Sequence, residues 1–325
     1  MVSARRIFQF VAAACFAAIS SAAAAQDFPS RPITFIVPFP AGGVTDPVAR
    51  MVAQKVSESV HQPVIVDNRP GAGSIVGAMA VKNARPDGYT LFFGNFSSHA
   101  INSALYTKLP YDPVKDFEPI TMMMKTGHLL VVPASSPAKS AKELIALAKS
   151  RLAGLTFGSQ GIGSGGHILG EMWKLQTGAP LTHVPYKGSA PVIQDLLAER
   201  IDMSFDTVIT SGPYIRDGKF RALGWSTSSR TRHFPDVPTM AEAGFPGMEL
   251  EVWFALFATG GTPQPIVRKL NQEFVKAINS PDVMTRFGEQ GLDMLSSTPE
   301  ELAALVKADT ARLAPIVKAS GARVD

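Results

Sequence analysis

The sequence predicts an α/β protein built from two similar halves. Short β-branched and aromatic runs alternate with helical periodicity along the whole chain. Glycine-rich turns twice separate a strand from the start of a helix, at Ala41-Gly42-Gly43 and at 161–166. A β-α-β-α-β opening is followed by a turn-rich connector, after which a second strand-and-helix series begins. Such alternation is the signature of largely parallel sheets covered by helices.

The elements follow in order. Residues 33–39 form a strand-like run, Pro40-Ala41-Gly42-Gly43 turn the chain, and Val44, Val48, Val52, Val56 and Val60 then recur every fourth residue on one helical face. Asp46 followed by Pro47 reads as an N-cap and first helical position. A strand at 64–66, the turn Pro70-Gly71-Ala72-Gly73, a helix at 74–83 and a strand at 90–93 complete the first series. Residues 110–119 read as connector, and 128–132 as an apolar strand ended by Pro133. Ser140 caps a helix with Leu144, Ile145 and Leu147 on its apolar face, and 155–158 is a strand. The stretch 159–166 leads into a helix whose Ile168, Leu169, Met172 and Leu175 share a face and which Gly178 stops. Strands at 181–186, 201–205 and 222–225 and a helix at 191–199 follow. Turns dominate 235–247, a strand-like run covers 250–257, and helices occupy 265–278 and the chain from 299, where Thr298-Pro299-Glu300-Glu301 matches a capping box.

Composition narrows the function classes. The chain has 325 residues, about two domains' worth, with 46% hydrophobic and 18% charged residues. That excludes disordered, collagen-like, coiled-coil and disulfide-scaffold proteins. The first 25 residues read as an export signal: Arg5 and Arg6, an apolar stretch at 7–19 too short to span a bilayer, and Ala23-Ala24-Ala25 before Gln26. Cleavage there removes both arginines and lowers the net charge from +4 to +2, too balanced for nucleic acid. The one cysteine, Cys15, lies in that stretch, and Ala12-Ala13-Ala14-Cys15 only loosely resembles a lipobox. A chain without cysteine excludes thiol catalysis and cysteine–zinc sites. The product is expected in the periplasm.

Each glycine-rich turn before a helix start is a potential anion cradle, because glycine allows close backbone approach and the first helical turn offers free N–H groups. Either turn alone could equally be a tight turn without a ligand; two of them in two halves favour a shared one. Gly161-x-Gly163-x-x-Gly166 satisfies the dinucleotide fingerprint, yet 181–190 holds no acid for a ribose. The stretch 212–219 misses the phosphate-loop pattern, and no Gly-x-Ser-x-Gly exists. The six histidines are scattered, and only His167 and Glu171 have a spacing that could share a metal, two ligands short of a site. Asp206, at a strand end, either faces a cleft or caps the next segment. The cluster 228–233 reads as a solvated turn.

Ordered blocks now carry a resemblance across nearly all the chain after the leader: Ile36-Val37-Pro38-Phe39-Pro40-Ala41-Gly42-Gly43 with Asp46 and Arg50; Val66-Asp67-Asn68-Arg69-Pro70-Gly71-Ala72-Gly73; Pro86-Asp87-Gly88-Tyr89-Thr90-Leu91; Leu109-Pro110-Tyr111-Asp112-Pro113; Gly158-Ser159-Gln160-Gly161 with Gly163-Ser164 and His167; Val184-Pro185-Tyr186-Lys187-Gly188; Pro235-Asp236-Val237-Pro238-Thr239; and Gly261-Thr262-Pro263. The sequence resembles the substrate-binding proteins of tripartite tricarboxylate transporters, the Bug family of periplasmic receptors. Val44, His128 and Ala314-Pro315 depart from that pattern.

The resemblance implies a type II periplasmic-binding-protein fold, two α/β lobes joined by two crossover strands with a ligand cleft between them. After the leader at 1–25, one lobe would comprise 26–126 and the return segment 248–325, the other 127–247. It implies a receptor without catalysis, cofactor or metal, which holds a small organic carboxylate mainly by main-chain groups and delivers it as a monomer to a membrane permease or a sensor. Carried over residue by residue, Phe39, Ala41, Gly42, Gly43 and Asp46 would line the first lobe's side, and Ser159, Gln160, Gly163, Ser164 and His167 the second's. Tyr186, Lys187, Gly188, Asp206 and Thr207 would complete the far wall, with Ser98 and His99 near the distal end. The rival reading is a secreted hydrolase acting on a carboxylate-containing substrate.

Overall fold

The computed structural model describes residues 28–42 and 44–324. The expected leader, Cys15 and Gly43 lie outside the described residues. Two sheets, each dressed with helices, form the architecture. In the first sheet β1 (Ile33–Val37) lies between β2 (Val64–Asn68) and β3 (Thr90–Asn95), parallel to both. Ile33, Phe35, Ile36 and Val37 are all buried, so β1 reads as a continuous apolar run because both faces are covered. Helix α1 (Thr45–Val60) leans on this sheet through Val48, Val52 and Val56, fully buried at the predicted spacing, while Val44 and Val60 at the ends are only partly covered.

The sheets are mixed rather than largely parallel. β10 (Val252–Thr259) runs antiparallel between β3 and β4 (Phe117–Thr126), and β11 (Asp293–Met294) pairs antiparallel with the far side of β4. In the second sheet β6 (Leu155–Ser159) lies parallel to β7 (Leu181–Pro185) and β8 (Met203–Asp206), whereas β5 (Leu129–Pro133) runs against β8 and β9 (Phe220–Trp225). Apart from short β11, the reversed strands are the two on which the chain enters a sheet after crossing, β5 and β10, while β4 and β9 run with their parallel neighbours. β4 also corrects the reading of 110–119 as connector throughout: the strand opens at Phe117, and Pro119 is accommodated beside a register shift.

The remaining helices are α2 (Ile75–Lys82), α3 (Asn102–Leu105), reached through a π-helical turn at Ser97–Ile101, α4 (Ala141–Ser150), α5 (Gly165–Thr177), α6 (Ser189–Leu197), α7 (Val208–Arg216), α8 (Gln264–Ile278), α9 (Pro281–Gly288) and α10 (Pro299–Ala319). Ser140 caps α4 by accepting the Glu143 N–H, and Thr298 and Glu301 form both bonds of the predicted capping box. Gly178 ends α5 in the left-handed conformation. On α5 the buried stripe is Ile168, Leu169, Met172 and Trp173; Leu175, expected on that face, sits in the last turn and is 49% exposed. No helix among the described residues is long and apolar enough to cross a membrane.

The chain passes between the sheets twice, from β4 to β5 across Gly127 and His128, and from β9 back to β10 through 226–251. Buried Ser226 ties the two passages together. Its Oγ accepts the His128 N–H at 2.9 Å and donates to the Leu250 carbonyl at 2.9 Å, while its N–H reaches the His128 carbonyl at 3.0 Å and its carbonyl takes the Leu250 N–H at 2.7 Å. At Gly127 a Cβ would lie 2.5 Å from Thr227 and 2.6 Å from Trp225, so only glycine lets the strands approach.

Candidate functional site

The first glycine-rich turn, between β1 and α1, is shaped by one carboxylate. Asp46 stands inside α1 rather than capping it, and it is 6% exposed. Its Oδ2 accepts the Gly42 N–H at 3.2 Å and Arg50 Nε at 3.0 Å, and its Oδ1 accepts Asn68 Nδ2 at 3.0 Å. Asn68 Nδ2 also reaches the Phe39 carbonyl at 3.1 Å, and Arg50 closes the ring by donating to Asn68 Oδ1 at 3.0 Å. The hydrogen bond from Arg50 is the main reason the Asp46 carboxyl sits below its usual range. Asp46 thus frames the turn, with three donors on its two oxygens. Ala41 and Gly42 are exposed, and Phe39 is half-buried against Phe254. Gly42 has φ +80° with nothing near its missing side chain. Thr45, overlooked in the sequence, is 4% exposed and its hydroxyl finds no partner among the described residues. A hydroxyl at the helix start just after two glycines was the available signal.

The second turn, between β6 and α5, has a neutral frame. Ser159 Oγ accepts the Gly161 N–H at 3.2 Å, donates to the Gly161 carbonyl at 3.1 Å, and lies 2.6 Å from His183 Nε2. The Gly163 N–H donates to His167 Nδ1 at 3.1 Å, and Ser164 caps α5 by accepting the His167 N–H. Gly165 and Gly166 open a thirteen-residue helix, so their N–H groups have no carbonyl of their own helix to donate to and lie at its positive end. Burial holds His167 neutral, its pKa lowered to about 4, and that of His183 to about 3.

The segment expected to form the far wall is hydrogen-bonded to this turn. The Tyr186 N–H donates to the Ser159 carbonyl at 3.0 Å and the Gly188 N–H to the Gln160 carbonyl at 3.1 Å. The Tyr186 hydroxyl is turned to Asp195 at 2.7 Å and pushed up to about 12, chiefly by burial. Lys187 is exposed. Asp206 is fully buried and accepts Gln160 Nε2 at 2.8 Å, Ser189 Oγ at 3.0 Å and Thr210 Oγ1 at 2.6 Å. One carboxylate thus holds the loops after β6, β7 and β8, and burial without a cationic partner raises its pKa. Half-buried Thr207 bonds Thr210 beside it.

Ser98 and His99, expected near the distal end, are fully buried. The π-helical turn at Ser97–Ile101 drives both into the core, where Ser98 Oγ bonds Asn95 and His99 Nδ1, and the His99 ring stacks on Phe257 with centroids 3.8 Å apart. The two halves meet elsewhere: Ile209, near the start of α7, packs on the same apolar cluster as Phe39, Val44 and Phe254. A groove of about 560 Å³ lies behind β4 and β10, against α10, and its Lys125–Glu251 and Arg312–Asp309 pairs satisfy one another.

Two contacts resemble a nucleophile beside its base, Ser159 with His183 and Ser98 with His99. Both serines are fully buried, and rings whose pKa is about 3 are too weak as bases at neutral pH. What the geometry offers is main-chain donors with little competing charge, suited to holding an anion.

Comparison with known proteins agrees. The family model described as the tripartite tricarboxylate transporter family receptor matches residues 48–322. Protein BugT of Bordetella pertussis is 36% identical over 309 residues, covering 95% of each chain. Among solved structures, R. palustris Rpa4515 with adipate has a TM-score of 0.83 at 36% identity, covering 92% of this chain and 100% of its own. MatC (Rpa3494) from Rhodopseudomonas palustris with bound malate has a TM-score of 0.80 at 35% identity, covering 89% and 100%.

Proposed function

This chain belongs to the tripartite tricarboxylate transporter receptor family, and from that membership we propose that its two halves close on a small organic carboxylate and deliver it to a membrane permease of the tripartite tricarboxylate type. The family binds solutes rather than transforming them, so the chain is a receptor and not an enzyme. Its place is the periplasm, reached with a leader cleaved near Ala25, and it works as a monomer. The observation that carries the reading is the pair of first-turn N–H groups at Gly165 and Gly166, supported at the other glycine-rich turn by the Thr45 hydroxyl, which has no partner among the described residues. Both can serve a carboxylate group, and expelling water on closure strengthens them. Adipate in Rpa4515 and malate in MatC make dicarboxylates the first solutes to try. Citrate-like acids, acidic amino acids and aromatic acids share the same terminal group.

A thermal-shift series on the protein from Gln26 onward tests this. One or a few acids should raise the melting temperature with the concentration dependence of single-site binding, their methyl esters should not, and no product should form. Consumption of an ester or amide, or no shift with any acid, would overturn the reading.

A further inference from the structure

We propose that the Gly163 backbone is the latch between the two halves, with His167 as its positioning residue and Ser97 as its counterpart on the other side. Ser97, on the turn that follows β3, donates its hydroxyl proton to the Gly163 carbonyl at 2.9 Å. The N–H of the same residue is fixed by His167 Nδ1 at 3.1 Å. Gly163 has φ +80°, and a Cβ there would lie 2.8 Å from Leu105 and 3.4 Å from Ile101, so the bare main chain of one half is pressed against a helical turn of the other. The tilt of the backbone presented to Ser97 therefore depends on the imidazole behind it.

That imidazole is itself rigidly held. Its ring stacks on His183 with centroids 4.1 Å apart at 23°, and His183 is anchored by Ser159 on one side and stacked on Phe157 on the other. The charged and titratable groups near the ring are His183 from β7 and Glu171 and Lys174 from its own helix. A bare Nδ1 is needed to accept the Gly163 N–H, so the latch is set only while the ring is neutral. It follows that the Gly163 N–H is not a solute contact: it orders the turn, and the lifetime of the closed state depends on it.

The inference rests on the receptor reading, so its test has one arm with solute and one without. With the tightest-binding acid of a panel containing malate and adipate, Ser97→Ala should speed dissociation about fivefold and leave association nearly unchanged, as expected for one lost hydrogen bond. His167→Ala should act in the same direction, and His167→Asn, whose Oδ1 stands where Nδ1 was, should recover most of the loss. The double variant Ser97→Ala/His167→Ala should lose less than the product of the single losses, because both act on one residue. Without solute, hydrogen exchange at the Gly163 amide should rise at least tenfold in His167→Ala and stay near the wild-type rate in His167→Asn. Multiplicative losses, failure of asparagine to rescue, or unchanged exchange would overturn the latch. If no acid binds the wild type, the receptor reading fails while the exchange arm still decides the latch.

Discussion

The two glycine-rich turns look alike in sequence but are braced by different chemistry. The first is drawn into shape by an ionic network, Asp46 with Arg50 and Asn68, in which Arg50 is half exposed to water. The second is braced by neutral groups packed under it, Ser159, His183 and His167, with Gln160 tying it to the buried carboxyl of Asp206. The contrast teaches that a backbone anion site needs its nearby charges either cancelled or withdrawn, and this protein uses one solution in each half.

The comparison can be pressed hardest with acid. His167 has a folded-state pKa of about 4 against an ordinary value near 6.5, so its neutral form stabilises the fold fully above pH 6.5 and that contribution is lost as pH falls toward 4. The loss should reach about 2.5 kcal/mol by pH 4.5, and denaturant melts of His167→Asn should show a slope shallower by roughly 1.4 kcal/mol per pH unit. His99 and His128 act with the same sign, whereas Glu171 and Asp206, both raised by burial, oppose it. Asp46→Asn should leave the slope in this window unchanged, since its lowered carboxyl titrates below it.

A matched pair of glycine substitutions separates the turns next. Gly163→Ala combines a positive φ with a contact on buried Leu105 and should cost about 2 kcal/mol, with faster solute release. Gly42→Ala meets the same φ in open space and should cost about 1 kcal/mol. Equal costs by chemical denaturation would erase the distinction. The smallest effect is that of salt: raising ionic strength from 0.05 to 0.5 M, a range chosen to cross the Debye length of roughly 10 Å, should weaken solute binding only about twofold. A steep loss by calorimetry would point to a lysine or arginine clamp instead.

Sequence reasoning reached what is local. Ser140 and Thr298 cap because their partners lie three residues away, and Gly178 stops its helix by its own conformation. Both glycine-rich turns were legible for the same reason. Asp46 and Asp206 were legible as present and not as oriented, because Asn68, Gln160 and Ser189 reach them from other strands. The His167–His183 stack joins a helix to a neighbouring strand, and spacing along the chain carries no trace of it. β4 was hidden at its start by Pro119, which signals a turn unless a neighbouring strand is known to supply the bulge.

Ser226 fastens both connecting passages at one buried hydroxyl, so the protein has a single pivot in place of two independent tethers. Motion about such a joint has few degrees of freedom. On the receptor function proposed above, acids of different size would be announced by nearly the same closed silhouette, and a docking partner would register that a solute is held without reading which.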